Sequence, residues 1–214
     1  MRPLAPILPL IFLAACLPLR AQIPAPGPLS HFARCSPSTC VWVPYNTHKT
    51  FHHGPYSYFV QAKDRGGTFF LQRGNQTLLQ TNLHNLSASV SVSWAPGNNA
   101  FSITWSNCGS GGRYHVKVFL IRNGKAVEVP AAARAFSDFL SHAPCTPHPA
   151  ENNVQAYHWV NAHDLLIVTS VLPNIFCGEQ SNKTEGYIVR AQTGAILQHL
   201  TPRQLTAYTD HHPQ

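Results

Sequence analysis

Six cysteines, thirteen histidines and one glycine-flanked serine are the residues of this sequence whose types could carry chemistry. Ser110 lies in Cys108-Gly109-Ser110-Gly111-Gly112, a setting where exposed backbone N–H groups could hold an oxyanion beside a hydroxyl nucleophile. That chemistry needs a base oriented by a carboxylate. Glycine rather than aspartate precedes Ser110, so the glycines read as a flexible strand connection. Among the histidines, His52 and His53 are adjacent, and His158 and His163 flank an expected turn. Neither spacing gathers ligands on one side of an element, and no metal or cofactor is expected. Eight acidic residues offer few acid–base pairs. Glu151 is expected to pin a turn, Asp138 to face water from a helix, and Asp164 to shape the turn it shares with His163. No catalytic residue is assigned.

The cysteines point instead to an oxidising compartment. Met1-Arg2, the apolar run Leu4 to Ala15, and Leu19-Arg20-Ala21 supply the positive start, the apolar core and the small-residue cleavage site of an export leader. Residues 1–21 are expected to form that signal peptide. Leu13-Ala14-Ala15-Cys16 also resembles the lipobox of bacterial lipoproteins, and on that alternative the leader is 1–15 and Cys16 is lipidated. Either route leaves Cys35, Cys40, Cys108, Cys145 and Cys177 for the fold, an odd number. Cys35 with Cys40 and Cys145 with Cys177 are the disulfides considered, with Cys108 then free; other pairings stay open.

Charge excludes some partners. Fifteen Lys and Arg against eight Asp and Glu give +7, but the basic residues are scattered singly, with no run to track a phosphate backbone. No nucleic acid is expected, and a membrane only through the lipid anchor. Charged residues are 11% of the chain, and 18 prolines and 13 glycines favour short strands and many turns.

These elements would have to position any site. Ile23 to Ser30 holds Pro24, Pro26 and Pro28, so 22–30 reads as a proline-rich linker and 31–208 as a single β domain. Alternating or β-branched runs predict strands over Tyr56–Ala62, Gly67–Arg73, Thr77–Asn82, Ser89–Trp94, Phe101–Trp105, Tyr114–Arg122, Ala126–Val129, Leu165–Val171, Gly186–Ala191 and Ile196–Leu200. Gly74, Gly124 and Gly194 predict three hairpin turns. Helical spacing appears over Ala131–Ser141 and from Thr201, and the tail 209–214 is expected to fray.

The strands repeat. Trp94-Ala-Pro-Gly-Asn-Asn-Ala-Phe-Ser-Ile-Thr aligns without gaps with Trp159-Val-Asn-Ala-His-Asp-Leu-Leu-Ile-Val-Thr, and Trp42 is read as opening the first of three units. Ser93-Trp94-Ala95-Pro96-Gly97-Asn98 is similar to the turn-and-strand of WD40-like and TolB-type β-propeller blades, with Ala95 and Asn98 departing from it. That resemblance implies antiparallel blade-like hairpins, in numbers short of a closed ring. The expected fold class is mainly β, partial-propeller-like, with one or two short helices. The expected function is an exported, non-enzymatic interaction or scaffold module whose partner is an envelope protein or polymer. The alternatives are a secreted hydrolase with a loop-assembled site, and a carbohydrate-binding module using surface aromatics, Trp42 and Tyr45 foremost.

Overall fold

A computed structural model describes residues 40–44, 49–63, 66–86, 89–106, 113–142, 152–171 and 183–211. Within them the chain runs through β1 (Cys40–Pro44), β2 (Phe51–His53), β3 (Tyr56–Lys63), β4 (Gly66–Arg73), β5 (Gln76–His84), β6 (Ser89–Trp94), β7 (Ala100–Ser106), β8 (Tyr114–Arg122) and β9 (Lys125–Val129). It continues through α1 (Ala131–His142), β10 (Asn152–Trp159), β11 (Asp164–Val171), β12 (Thr184–Arg190), β13 (Ala195–Leu200) and α2 (Pro202–His211). The protein is mainly β. Three antiparallel meanders follow one another in chain order: β2 to β5, β6 to β9 and β10 to β13, with β1 added beside β6.

The hairpins form where glycine licenses them. Gly74, Gly124 and Gly194 all take positive φ, and Asn123 joins Gly124 in the left-handed region, as a two-residue turn twisted to suit the flanking strands requires. The faces these strands bury then set the order of the sheets. In the first sheet Tyr58, Val60, Phe69, Leu71 and Leu83 point one way and pack on Val92, Trp94, Phe101 and Ile103 of the second. The second sheet's other face, Val118 and Leu120 among it, packs with Ala132, Ala135 and Phe139 of α1 on Leu165, Ile167, Tyr187 and Val189 of the third. Leu205 of α2 then lies on the far face of the third sheet, against Leu166, Val168, Ile188 and Leu200. The result is an open stack of three blade-like sheets with the second in the middle. Its central strand β7 is buried from Ala100 to Ser106.

Three features depart from the sequence reading. Trp42 does not open the first unit: β1 pairs with β6 through the register Trp42↔Ser91 and so belongs to the second sheet. The equivalent position in the first unit is His53, at the end of β2, whose ring stacks on Trp94 with centroids 4.6 Å apart. The chain from Thr209 continues α2 to His211 instead of fraying, because Tyr208 packs against the apolar patch that Leu205 enters and keeps the last turn seated. Third, β10 has no strand prediction of its own: Asn152, Asn153, Gln155 and His158 dilute its alternation, and a register shift between Ala156 and His158 breaks its period. Cys16, Cys35, Tyr45, Cys108, Ser110, Cys145, Glu151 and Cys177 lie outside the described residues.

Candidate functional site

In β12 the run Lys183-Thr184-Glu185-Gly186-Tyr187 alternates, so Lys183, Glu185 and Tyr187 fall on one face of the strand. That face meets the C-terminal turn of α1. Glu185 is buried, and three donors from its own chain converge on it. Lys183 Nζ lies 3.0 Å from Oε1, the Tyr187 hydroxyl donates to Oε2 at 2.8 Å, and His199 Nε2 lies 3.0 Å from the same oxygen. The His199 ring lies flat between neighbours: its centroid is 4.9 Å from that of Tyr187 and 5.8 Å from that of His142. Lys183 also donates to the carbonyl of His142 at 3.1 Å, and His142 is paired with Asp138 one helical turn earlier.

Burial pushes the Glu185 carboxyl upward, yet hydrogen bonds from Lys183 and Tyr187, with the charges of Lys183 and His199, outweigh it. The carboxyl is therefore held below its ordinary range. The Tyr187 hydroxyl moves far the other way, first through burial and then through the neighbouring Glu185 and Asp138 carboxylates. The cluster is thus an ionised carboxylate held by three donors, tying β12 and β13 to the end of α1. Sequence alone singles out none of Lys183, Glu185, Tyr187, His142 and His199. The one legible signal is the alternating Lys-x-Glu-x-Tyr on a strand.

Of the carboxylates that the sequence does single out, Asp164 and Asp138 lie among the described residues, and Asp164 shapes its turn. Asp164 accepts from Asn161 Nδ2 at 2.9 Å and is bonded by Arg190 Nε, while Asn161 Oδ1 accepts from the backbone N–H of both His163 and Asp164. Burial raises the Asp164 carboxyl, but the Asn161 and Arg190 hydrogen bonds and the charges of Arg190 and His163 lower it further than burial lifts it. Asp138 is more than a surface group, since its carboxylate faces His142 at 3.5 Å. Among the described residues no group of three His, Cys, Asp or Glu side chains is placed to hold a metal ion. Of the surface aromatics named from the sequence, Trp42 lies in β1 and Tyr45 beyond it, outside the described residues.

A second feature lies at the other end of the stack. The outward face of the first sheet carries Phe59 and Phe70, cross-strand partners stacked 4.8 Å apart and only partly buried. Beside them Thr50, Phe59, Val60 and Gln61 line a hollow of about 300 Å³. It sits where β2 leaves β3: the two pair only from Tyr56 to Tyr58. From Phe59 to Lys63 one edge of β3 therefore has no partner strand among the described residues.

By its fold this is a mainly β protein built as a stack of three antiparallel, blade-like sheets with two helices. Compared with protein families, curated proteins and solved structures, the chain matches no family model, no curated protein and no solved structure.

Proposed function

We propose that this chain is an exported interaction module of the bacterial cell envelope, without catalytic activity, that receives an extended protein segment on the outward face of its first sheet. The observation that carries this reading is the Phe59–Phe70 pair beside the open edge of β3. Paired aromatic rings supply apolar contact, and an open strand edge supplies backbone donors and acceptors in register, the two ingredients of strand-addition recognition. A glycan would use the rings and leave the edge unused. Glu185, bonded to Lys183, Tyr187 and His199, acts as a fastener between elements.

Export rests on the leader over residues 1–21 or the lipobox ending at Cys16, and on the cysteines. The segments holding Cys145 and Cys177 are rooted side by side: Asn152 pairs with Val171, and Lys183 reaches the carbonyl of His142. A likeness of its units to propeller blades is supported by three meanders in sequence and by Trp94 and Trp159, which close β6 and β10, the opening strands of their meanders.

The test is site-specific photocrosslinking in the native host from position 59, with exposed Gln80 of the same face and exposed Leu197 at the far sheet as comparison positions. The expected result is discrete protein adducts from positions 59 and 80 and none from 197. Adducts equal at all three, or none at any, overturn the reading.

A further inference from the structure

Residues 65–127 hold six Lys and Arg and no Asp or Glu, whereas residues 128–214 hold four Lys and Arg against seven Asp and Glu. The stretch that carries β4 to β8 is thus +6, and the stretch that carries α1, the third sheet and α2 is −3. Such a division of charge within one chain is the pattern of a protein that turns one side to a polyanion.

Scattered singly along the sequence, three of these cations are gathered by the fold. Arg73 opposes Gln76 across the β4–β5 turn, and Arg122 opposes Lys125 across the β8–β9 turn. The Gln76 amide donates to the Gly124 carbonyl at 3.4 Å, which sets the two hairpin tips side by side. Arg73, Asn75, Arg122 and Lys125 are all exposed there. The equivalent tip of the third sheet differs, since Arg190 at its start is tied to Asp164. Among the described residues no carboxylate pairs with the three tip cations. Glu128 faces Lys117, Asp138 faces His142, Glu185 faces Lys183 and His199, and Asp210 lies on α2 at the far end of the stack.

We propose that the joined tips of the first two sheets, through Arg73, Arg122 and Lys125, dock on an anionic phospholipid surface. Hairpin tips project from the ends of their strands, so their cations meet a plane of phosphates rather than enclose a single anion. Cations held against such a plane act through its surface potential, which reaches about 8 Å at physiological salt. Val127, 49% exposed, follows Lys125 on the same side of β9 and gives the contact an apolar element suited to lipid. Residues 72–77 and 121–126 contain no aromatic ring on which a nucleic-acid base would stack. The contact does not involve Phe59 or Phe70, so it stands whether or not a protein segment binds the outward face of the first sheet.

The test is co-sedimentation of the full chain with phosphatidylglycerol vesicles, with phosphatidylcholine vesicles as the baseline for any part of the chain that enters a bilayer by itself. R73Q/R122Q/K125Q is compared with K49Q/R134Q/R203Q, which removes the same charge from exposed positions elsewhere. Each Lys or Arg at an anionic surface contributes about fivefold in affinity, so the tip variant is expected to bind phosphatidylglycerol on the order of a hundredfold more weakly than wild type. The second variant is expected to stay within about fivefold of wild type. Hydrogen exchange at the Gly74–Gln76 and Asn123–Lys125 amides is expected to slow with phosphatidylglycerol and not with phosphatidylcholine. Equal weakening in the two variants overturns the inference and leaves only diffuse net charge. Binding no stronger to phosphatidylglycerol than to phosphatidylcholine overturns it as well. If, in that case, a DNA duplex is bound by wild type and lost by the tip variant, the tips belong to nucleic acid instead.

Discussion

At Glu185 burial and hydrogen bonding pull one carboxyl in opposite directions, and the hydrogen bonds win. The folded value lies below that of the unfolded chain, so the stability contributed by ionised Glu185 is whole above about pH 4.3 and is lost as pH falls through the folded value. Glu185→Gln keeps the shape but leaves Lys183 and His199 facing an amide. It should cost about 2–4 kcal/mol at pH 7 in urea unfolding, and the difference from wild type should shrink markedly at pH 3. A difference that stays constant with pH would mean the carboxylate charge is irrelevant there. Burial likewise pushes the Tyr58 hydroxyl up to about 12, with the Trp94 indole acting weakly the other way. Tyr58 and Tyr187 should therefore stay protonated in an ultraviolet titration until the fold opens, and their ionisation should coincide with the loss of near-ultraviolet circular dichroism. At this scale the sequence is legible for turns and opaque for clusters. Asp164 and Gly124 follow from local backbone preference, whereas Glu185, His199 and His142 meet only because β12, β13 and α1 are brought together, and no spacing along the chain encodes that.

Among the elements, the hairpins and the helices answer different features of the sequence. Asn123 and Gly124 both sit at positive φ between β8 and β9, so Gly124→Ala should cost about 1 kcal/mol, mostly as strain confined to that turn. Gly186 has another reason to be glycine. A Cβ there would come within 2.8 Å of the Leu205 side chain and 3.3 Å of that of Leu166. Gly186→Ala should lift α2 from the third sheet at a cost of about 1–3 kcal/mol. Limited proteolysis should then cut first near α2, and an uncut helix in a destabilised variant would place the strain elsewhere. Strands with clean alternation or unbroken β-branched runs, such as β3 and β11, are legible in the sequence to within a residue or two. β1, β2 and β10 are not, since β2 has only three residues, β1 ends on a proline and lies outside the repeat, and β10 carries polar residues and a register shift. The Trp94 and Trp159 repeat identifies the right kind of unit, while the first unit hides behind a histidine where the others have tryptophan.

In the molecule as a whole, the second sheet belongs to two cores at once, one shared with the first sheet and one with the third. Loss of either core exposes a face of the same five strands, so a single cooperative transition is expected. Trp94 and Trp105 report on one core and Trp159 on the other. Tryptophan fluorescence and far-ultraviolet circular dichroism should therefore share one midpoint in denaturant, and two separated midpoints would show the sheets acting as independent units. The repeated hairpin units are readable in the sequence, but neither the order of the stack nor the place of β1 is, because β1 reaches past the entire first sheet to pair with β6. That long reach also governs how the protein answers a pull. A tug applied through the residues before Cys40 is met first by the five pairs from Cys40↔Ser93 to Pro44↔Ser89. These pairs let go in succession, as a zip opens, so β1 yields like a sacrificial link while the three sheets behind it stay closed.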